Sequence, residues 1–216
     1  MPEQRRPNVV AFVLIGVVAL ALVAVVIGLV AGGGDDDDGA PALADETGNV
    51  EVTGGADLAP YDAAADGDDP AVGLDAPVLT GETFTGEPIT VPGDGPAVIV
   101  FLAHWCPHCQ REVPVIVDWL EENGEPDGVQ LFGVATSIHD ARENYPPSAW
   151  LEREGWTLPT IVDAEDSGGA AAFGLTSFPY FVAVDADGRV VARASGELPT
   201  DELEALIEAA RGGGSS

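Results

Sequence analysis

The apolar run PAVIVFLA, residues 96–103, ends directly at HWCPHC, which holds both cysteines and two of the three histidines of the 216-residue chain. Its β-branched side chains predict a strand buried on both faces. Pro107 suits the first turn of a helix, and Val113, Ile116, Val117 and Leu120 then recur on one helical face as far as Glu122. Pro114 inside that helix predicts a kink. A strand of this kind must lie within a sheet, and the helix must pack back on it, so the segment points to an α/β domain.

Cys106 then sits at the start of the helix, where free N–H groups and the macrodipole favour a thiolate. Cys109, one turn later, is close enough to form a disulfide and more shielded, which suits a resolving thiol. His108 lies between them and adds positive charge that lowers the thiolate's energy further. The same spacing also forms half of many zinc sites, and an inert structural disulfide would use the same two residues. Four ligands at His104, Cys106, His108 and Cys109 would point in divergent directions, so a redox pair fits the position better than either alternative.

Further along, VQLFGVATS (residues 129–137) predicts a second buried strand, residues 140–154 a helix interrupted by Pro146 and Pro147, and residues 160–164 a short strand. Residues 168–173 predict a helical turn. YFVAVDADGRVVARASG (residues 180–196) predicts a hairpin across Asp187-Gly188. Thr200 is the predicted cap of a last helix through Arg211, with Leu203, Leu206 and Ile207 facing the core. Helices are expected on both faces of a mixed sheet. His104 and His139 read as packing or surface residues, and Glu112, on the cysteines' helix and able in principle to relay protons, reads first as part of a solvated helix face.

Upstream, residues 9–31 carry no charge and no hydrogen-bonding side chain. At about 1.5 Å per residue they are long enough to cross a hydrocarbon core of about 30 Å. A cleaved signal peptide competes with a transmembrane helix, but its apolar region usually runs about 7 to 15 residues and no convincing A-x-A site follows. No cysteine follows the run, so a lipid-modified N-terminus is excluded. Arg5 and Arg6 before it and Asp35, Asp36, Asp37 and Asp38 after it predict a cytoplasmic tail over residues 1–8, a single-pass anchor and an extracytoplasmic bulk. Disulfides persist in such compartments. Residues 32–75 hold 13 acids and no base and predict a disordered acidic Gly/Ala/Asp tether; the domain is expected over 76–211, with a flexible tail at 212–216. With no Lys, eight Arg and a net charge of -29, the chain is not expected to bind nucleic acid.

FLAHWCPHCQREVPVI resembles the active-site segment of thioredoxin-fold proteins, and FGLTSFPYFVAVDADGRVV resembles their later motif, in which a cis-proline faces the disulfide. Over residues 76–211 the resemblance implies a thioredoxin-like fold with a central mixed sheet flanked by helices. The apolar run and the segment WLEREGWTLPTIVDAEDSGGAAAFG make the chain most similar to membrane-anchored, extracytoplasmic TlpA/ResA-type thiol-disulfide oxidoreductases. The resemblance implies a catalytic Cys106 and Cys109 in a Cys-Pro-His-Cys centre, a cis-Pro179, and substrate docking over Trp105, Phe178 and Pro179. Protein thiols and disulfides are the implied partners, with no metal and no cofactor. Lacking a third cysteine, the chain needs a separate protein, expected to be a membrane thiol carrier, to exchange electrons. Two departures stand out. Val100 takes the place where thioredoxins bury an Asp, and the Pro-His pair resembles DsbA-type oxidants. A rival reading, copper delivery with Cu(I) on Cys106, Cys109 and a histidine, meets the objection that copper chaperones of this fold usually carry three residues between the cysteines.

Overall fold

The computed structural model describes residues 46–64 and 68–212. The expected anchor and the first part of the expected tether lie outside the described residues; among the latter, no helix is long and apolar enough to cross a membrane. Five strands form the central mixed sheet in the order β6-β5-β4-β7-β8. β4 (Ala97–Leu102) is at its centre, buried at every residue as the apolar run predicted. It runs parallel to β5 (Gln130–Ala135), which is parallel to β6 (Thr160–Val162). On its other side it is antiparallel to β7 (Tyr180–Val184), and β7 is antiparallel to β8 (Val190–Ser195). The turn joining β7 and β8 needs a residue at positive φ, and Gly188, at φ 78°, supplies it.

Alternate residues of β4 face opposite layers. Val98, Val100 and Leu102 pack with α1 (Pro107–Asn123), α2 (Pro147–Arg153) and α4 (Thr200–Gly212). Ile99 and Phe101 pack on the far side, where helix plays only a small part. That layer holds the short α3 (Gly168–Ala172) and an antiparallel sheet of β1 (Glu51–Gly54), β2 (Pro77–Glu82) and β3 (Pro88–Val91). The mixed sheet flanked by helices is thus present, with a small second sheet doing much of the covering on one face.

Three expectations are corrected. The tether was expected through Asp75, but residues 46–64 and 68–75 fold onto the domain. Leu58, Ala71 and Ala76 enter the core, and β1 pairs with β2. The acidity that marks this segment as a solvated chain also supplies its anchor: Asp69 pairs with Arg193, whose side chain is fully buried. The guanidinium also donates to the carbonyl oxygens of Ala59 and Phe173 and to the Tyr180 hydroxyl. The helix expected over 140–154 forms only from Pro147 onward, since Pro146 takes the extended N-cap conformation and Pro147 the first turn. Thr200 lies inside α4 rather than capping it, and the N–H groups of Glu202 and Leu203 donate to the Pro199 carbonyl.

Candidate active site

β4 delivers the chain to Ala103, and α1 starts four residues later. Cys106 is the N-cap, with φ -79° and ψ 119° and no side-chain cap. Its carbonyl accepts the first helical bond from the Gln110 N–H at 3.0 Å, and Pro107 at the first turn leaves one fewer unpaired N–H there. Both cysteines are free thiols. Both residues are buried, but Cys106 keeps 6% of its surface accessible and Cys109 none, so the less enclosed cysteine is the one at the helix N-terminus. Burial pushes the Cys109 thiol well above the usual range, although the Ala103 N–H donates to its Sγ at 3.5 Å.

The later motif closes over this strand–helix junction. The Phe178-Pro179 peptide is cis, as the resemblance implied. Pro179 is buried, and its carbonyl accepts from the Gly196 N–H at 2.9 Å. Phe178 meets the Trp105 ring edge-on, with centroids 6.0 Å apart. Trp105 is half-buried and already engaged, since its Nε1 donates to the Ser137 carbonyl at 2.7 Å and the Arg142 guanidinium lies over its ring.

His108 is exposed, and its ring is not isolated. Its Nδ1 lies 2.6 Å from Glu197 Oε1 and 3.0 Å from an Arg111 nitrogen. Arg111 donates to both oxygens of Glu197. Arg111 and His108 hold the Glu197 carboxyl down at about 2. Arg111, held by both oxygens of Glu197, is thus a cationic side chain beside His108 on the first turns of α1. Glu197 lies 86 positions from Arg111, and no local pattern announces that pairing.

Glu112 was read as a solvated residue, and the structure corrects this: it is 2% exposed. It stands three residues after Cys109 on the buried side of α1, beside Val113 and Ile116. Burial raises its carboxyl to about 7, opposed by the hydrogen bond it accepts from the Leu198 N–H. Its charge contributes to the raised Cys109 thiol. The spacing from Cys109 was the available signal, because positions three apart share a helical face.

His104 is buried and neutralised by its surroundings, with burial lowering its pKa. Its Nε2 accepts from the His139 N–H at 3.2 Å, which leaves Nδ1 to donate to the Glu143 carbonyl at 2.7 Å. Both ring nitrogens thus face the 137–145 loop. Among the described residues no group of three or more His, Cys, Asp or Glu side chains is placed to hold a metal ion.

The model of the Redoxin family matches residues 80–208, more than half of the chain. The chain belongs to the Redoxin family. No curated protein matches it significantly. Among solved structures, the Redoxin domain is similar to StoA from Bacillus subtilis, with a TM-score of 0.51 and 22% identity over 63% of this chain and 98% of that one. It is also similar to MTB dsbF, with a TM-score of 0.51 and 27% identity over 61% and 94% of the two chains. A secreted Mycobacterium tuberculosis disulfide oxidoreductase homologous to E. coli DsbE gives a TM-score of 0.50 and 24% identity over 60% and 94%. The thioredoxin-like α/β fold is therefore shown for this Redoxin domain. Within it, Val100 packs in the apolar cluster that includes Cys109 and Val113, and Glu112 is the buried carboxyl on the helix side.

Proposed function

We propose that the protein is an extracytoplasmic thiol-disulfide oxidoreductase that exchanges disulfides with partner proteins through Cys106 and Cys109. The observation that carries this reading is the unequal placement of the two thiols one helical turn apart. Cys106 is the N-cap of α1 and the less buried of the two, whereas Cys109 is fully buried one turn before Glu112, a carboxyl that burial raises to about 7. Similarity to solved proteins described as a disulfide oxidoreductase and as mixed oxidized and reduced forms supports it.

In the reducing direction, the Cys106 thiolate attacks one sulfur of a partner's disulfide. A mixed disulfide forms, and the other partner sulfur leaves with the electron pair as a thiolate. Cys109 then attacks Cys106 Sγ, the Cys106–Cys109 bond forms, and the second partner thiolate departs. Two electrons pass from the protein to the partner, whose two thiolates take up two protons, one that Cys106 had already released to solvent and one lost by Cys109. Cys109 must lose its proton in a buried setting that opposes this, and Glu112 is the group we assign to take it. The oxidising direction runs the same steps backwards. Phe178 and Pro179 form the docking edge beside Cys106, with Trp105 as its floor. The chain has only two cysteines, so a separate protein, which we propose to be a membrane thiol carrier, resets the pair. Residues 9–31 would hold the domain at the membrane.

Cys109→Ala is expected to accumulate mixed disulfides between Cys106 and partner proteins, and Cys106→Ala to accumulate none. Equal trapping by both variants would reverse or remove the assignment of the nucleophile.

A further inference from the structure

The domain is strongly acidic, and its described arginines are almost all spoken for. Arg111 pairs with Glu197, Arg153 with Glu154, Arg189 with Asp75, Arg193 with Asp69 and Arg211 with Glu208. Arg142 is, among the described residues, the one arginine in no ion pair with a carboxylate. It is exposed, and its guanidinium carbon lies 4.7 Å from the centroid of the Trp105 ring. Trp105 immediately precedes Cys106, so this guanidinium is held over the residue that adjoins the reactive thiol.

The loop that carries Arg142 is fixed rather than free to choose. His104 binds it at two points, through the His139 N–H and the Glu143 carbonyl, and Asn144 donates back to the His104 carbonyl at 3.3 Å. The Arg142 N–H donates to the His139 carbonyl at 3.1 Å, and Arg153 donates to the Asn144 side chain at 2.9 Å. Asp140 and Glu143 share the loop, yet neither carboxylate pairs with Arg142. A guanidinium stacked on a ring keeps its N–H edges available, and their planar fork matches a carboxylate. The net charge of -29 would repel an acidic partner at long range, but salt screens exposed charges beyond about 8 Å, so the local cation governs contact near the thiol.

Resting on the oxidoreductase reading above, we propose that Arg142 is a specificity residue that receives an acidic side chain flanking the reactive cysteine of the partner protein. Arg142 touches the partner's flank and not the reacting sulfurs, so it selects which disulfides are attacked.

The test uses the full-length reduced chain and three synthetic peptides of equal length, each with one intramolecular disulfide flanked by Glu, Gln or Lys. The second-order rate of peptide reduction is measured by acid quench and mass spectrometry. The Glu-flanked peptide is expected to react about two- to fivefold faster than the Gln-flanked one at low salt, as for an exposed ion pair. The preference is expected to vanish at 1 M salt, where screening acts within about 3 Å. Arg142→Glu is expected to invert the order of the Glu and Lys peptides, and Arg142→Lys to preserve it. Arg142 is exposed, so neither variant endangers the fold. Equal rates for all three peptides with the unaltered protein would overturn the inference while leaving the exchange chemistry intact. So would a Glu preference that survives Arg142→Glu, which would assign the selection to another cation such as Arg111. Failure of the reduced chain to reduce any of the peptides, together with failure of the oxidised chain to oxidise their dithiol forms, would instead overturn the oxidoreductase reading, and the inference with it.

Discussion

The Leu198 N–H donates to Glu112 Oε2 at 3.1 Å, tying the loop before α4 to a carboxyl buried three residues beyond Cys109. That single bond leaves most of the desolvation of Glu112 uncompensated, so its carboxyl stays protonated up to about pH 7. A buried thiol that must ionise and a buried carboxyl that changes charge near neutrality lie on the same face of one helix. The release of the mixed disulfide should therefore be controlled by Glu112.

Glu112→Gln keeps the acceptor for the Leu198 N–H and removes the base. It is expected to slow the resolution step on the order of 10²-fold, the lower end of what a positioned base contributes. In the unaltered protein that step should quicken as pH rises through about 7, and in the variant this inflection should be lost. Single-turnover quench of a preformed mixed disulfide at a series of pH values reads both effects.

The same residue makes a stability prediction of opposite sense. The folded-state value of about 7 lies above the ordinary 4.5, so the folded protein holds an extra proton between them and loses stability as pH rises across that window. Glu112→Gln is expected to be the more stable protein above pH 7, by on the order of 3 kcal/mol, and the difference should fade toward pH 4.5. Urea unfolding of both reduced proteins at pH 4.5 and 7.5 checks this.

Arg193 and Asp69 bind the segment before β2 to the sheet. Gly174 lets that segment pass close: a Cβ there would lie 2.4 Å from the Ala59 carbonyl oxygen, at a φ of 73° that L side chains rarely adopt. Asp69→Ala leaves a buried guanidinium without its carboxylate and is expected to cost on the order of 3 kcal/mol. A midpoint in urea unchanged from that of the unaltered protein would mean that the Asp69–Arg193 pair contributes nothing to the stability of the domain.

Much of the catalytic segment was legible because its signals are local. The β4 run is continuously apolar, Pro107 and the periodic apolar residues mark α1, and Asp187-Gly188 marks the hairpin. What escaped depends on distant partners. β1 is exposed at all four residues, and β2 and β3 carry neither a continuous apolar run nor a strict alternation of buried and exposed residues. Glu112 and Arg193 look like surface charges until the residues that bury them, far along the chain, are in place. His108 lies between the cysteines in the sequence, but its pairing with Glu197 is a contact across 89 positions.

The apolar residues 9–31, with arginines before and aspartates after, lead to a topological expectation. In spheroplasts of a cell expressing the full chain, externally added protease should release a soluble fragment containing both cysteines. A domain fully protected from that protease would refute the proposed orientation.

The exchange chemistry meets its most direct test in a redox titration of the full-length chain. The protein is equilibrated in glutathione buffers of graded potential, quenched with acid, and its alkylated thiols are counted by mass. Cys106 and Cys109 are expected to disappear together in one two-electron transition, leaving molecules with two alkylated thiols or none. Persistence of both thiols across the whole range, or oxidation that stops at a glutathione adduct on Cys106, would contradict a Cys106–Cys109 redox pair.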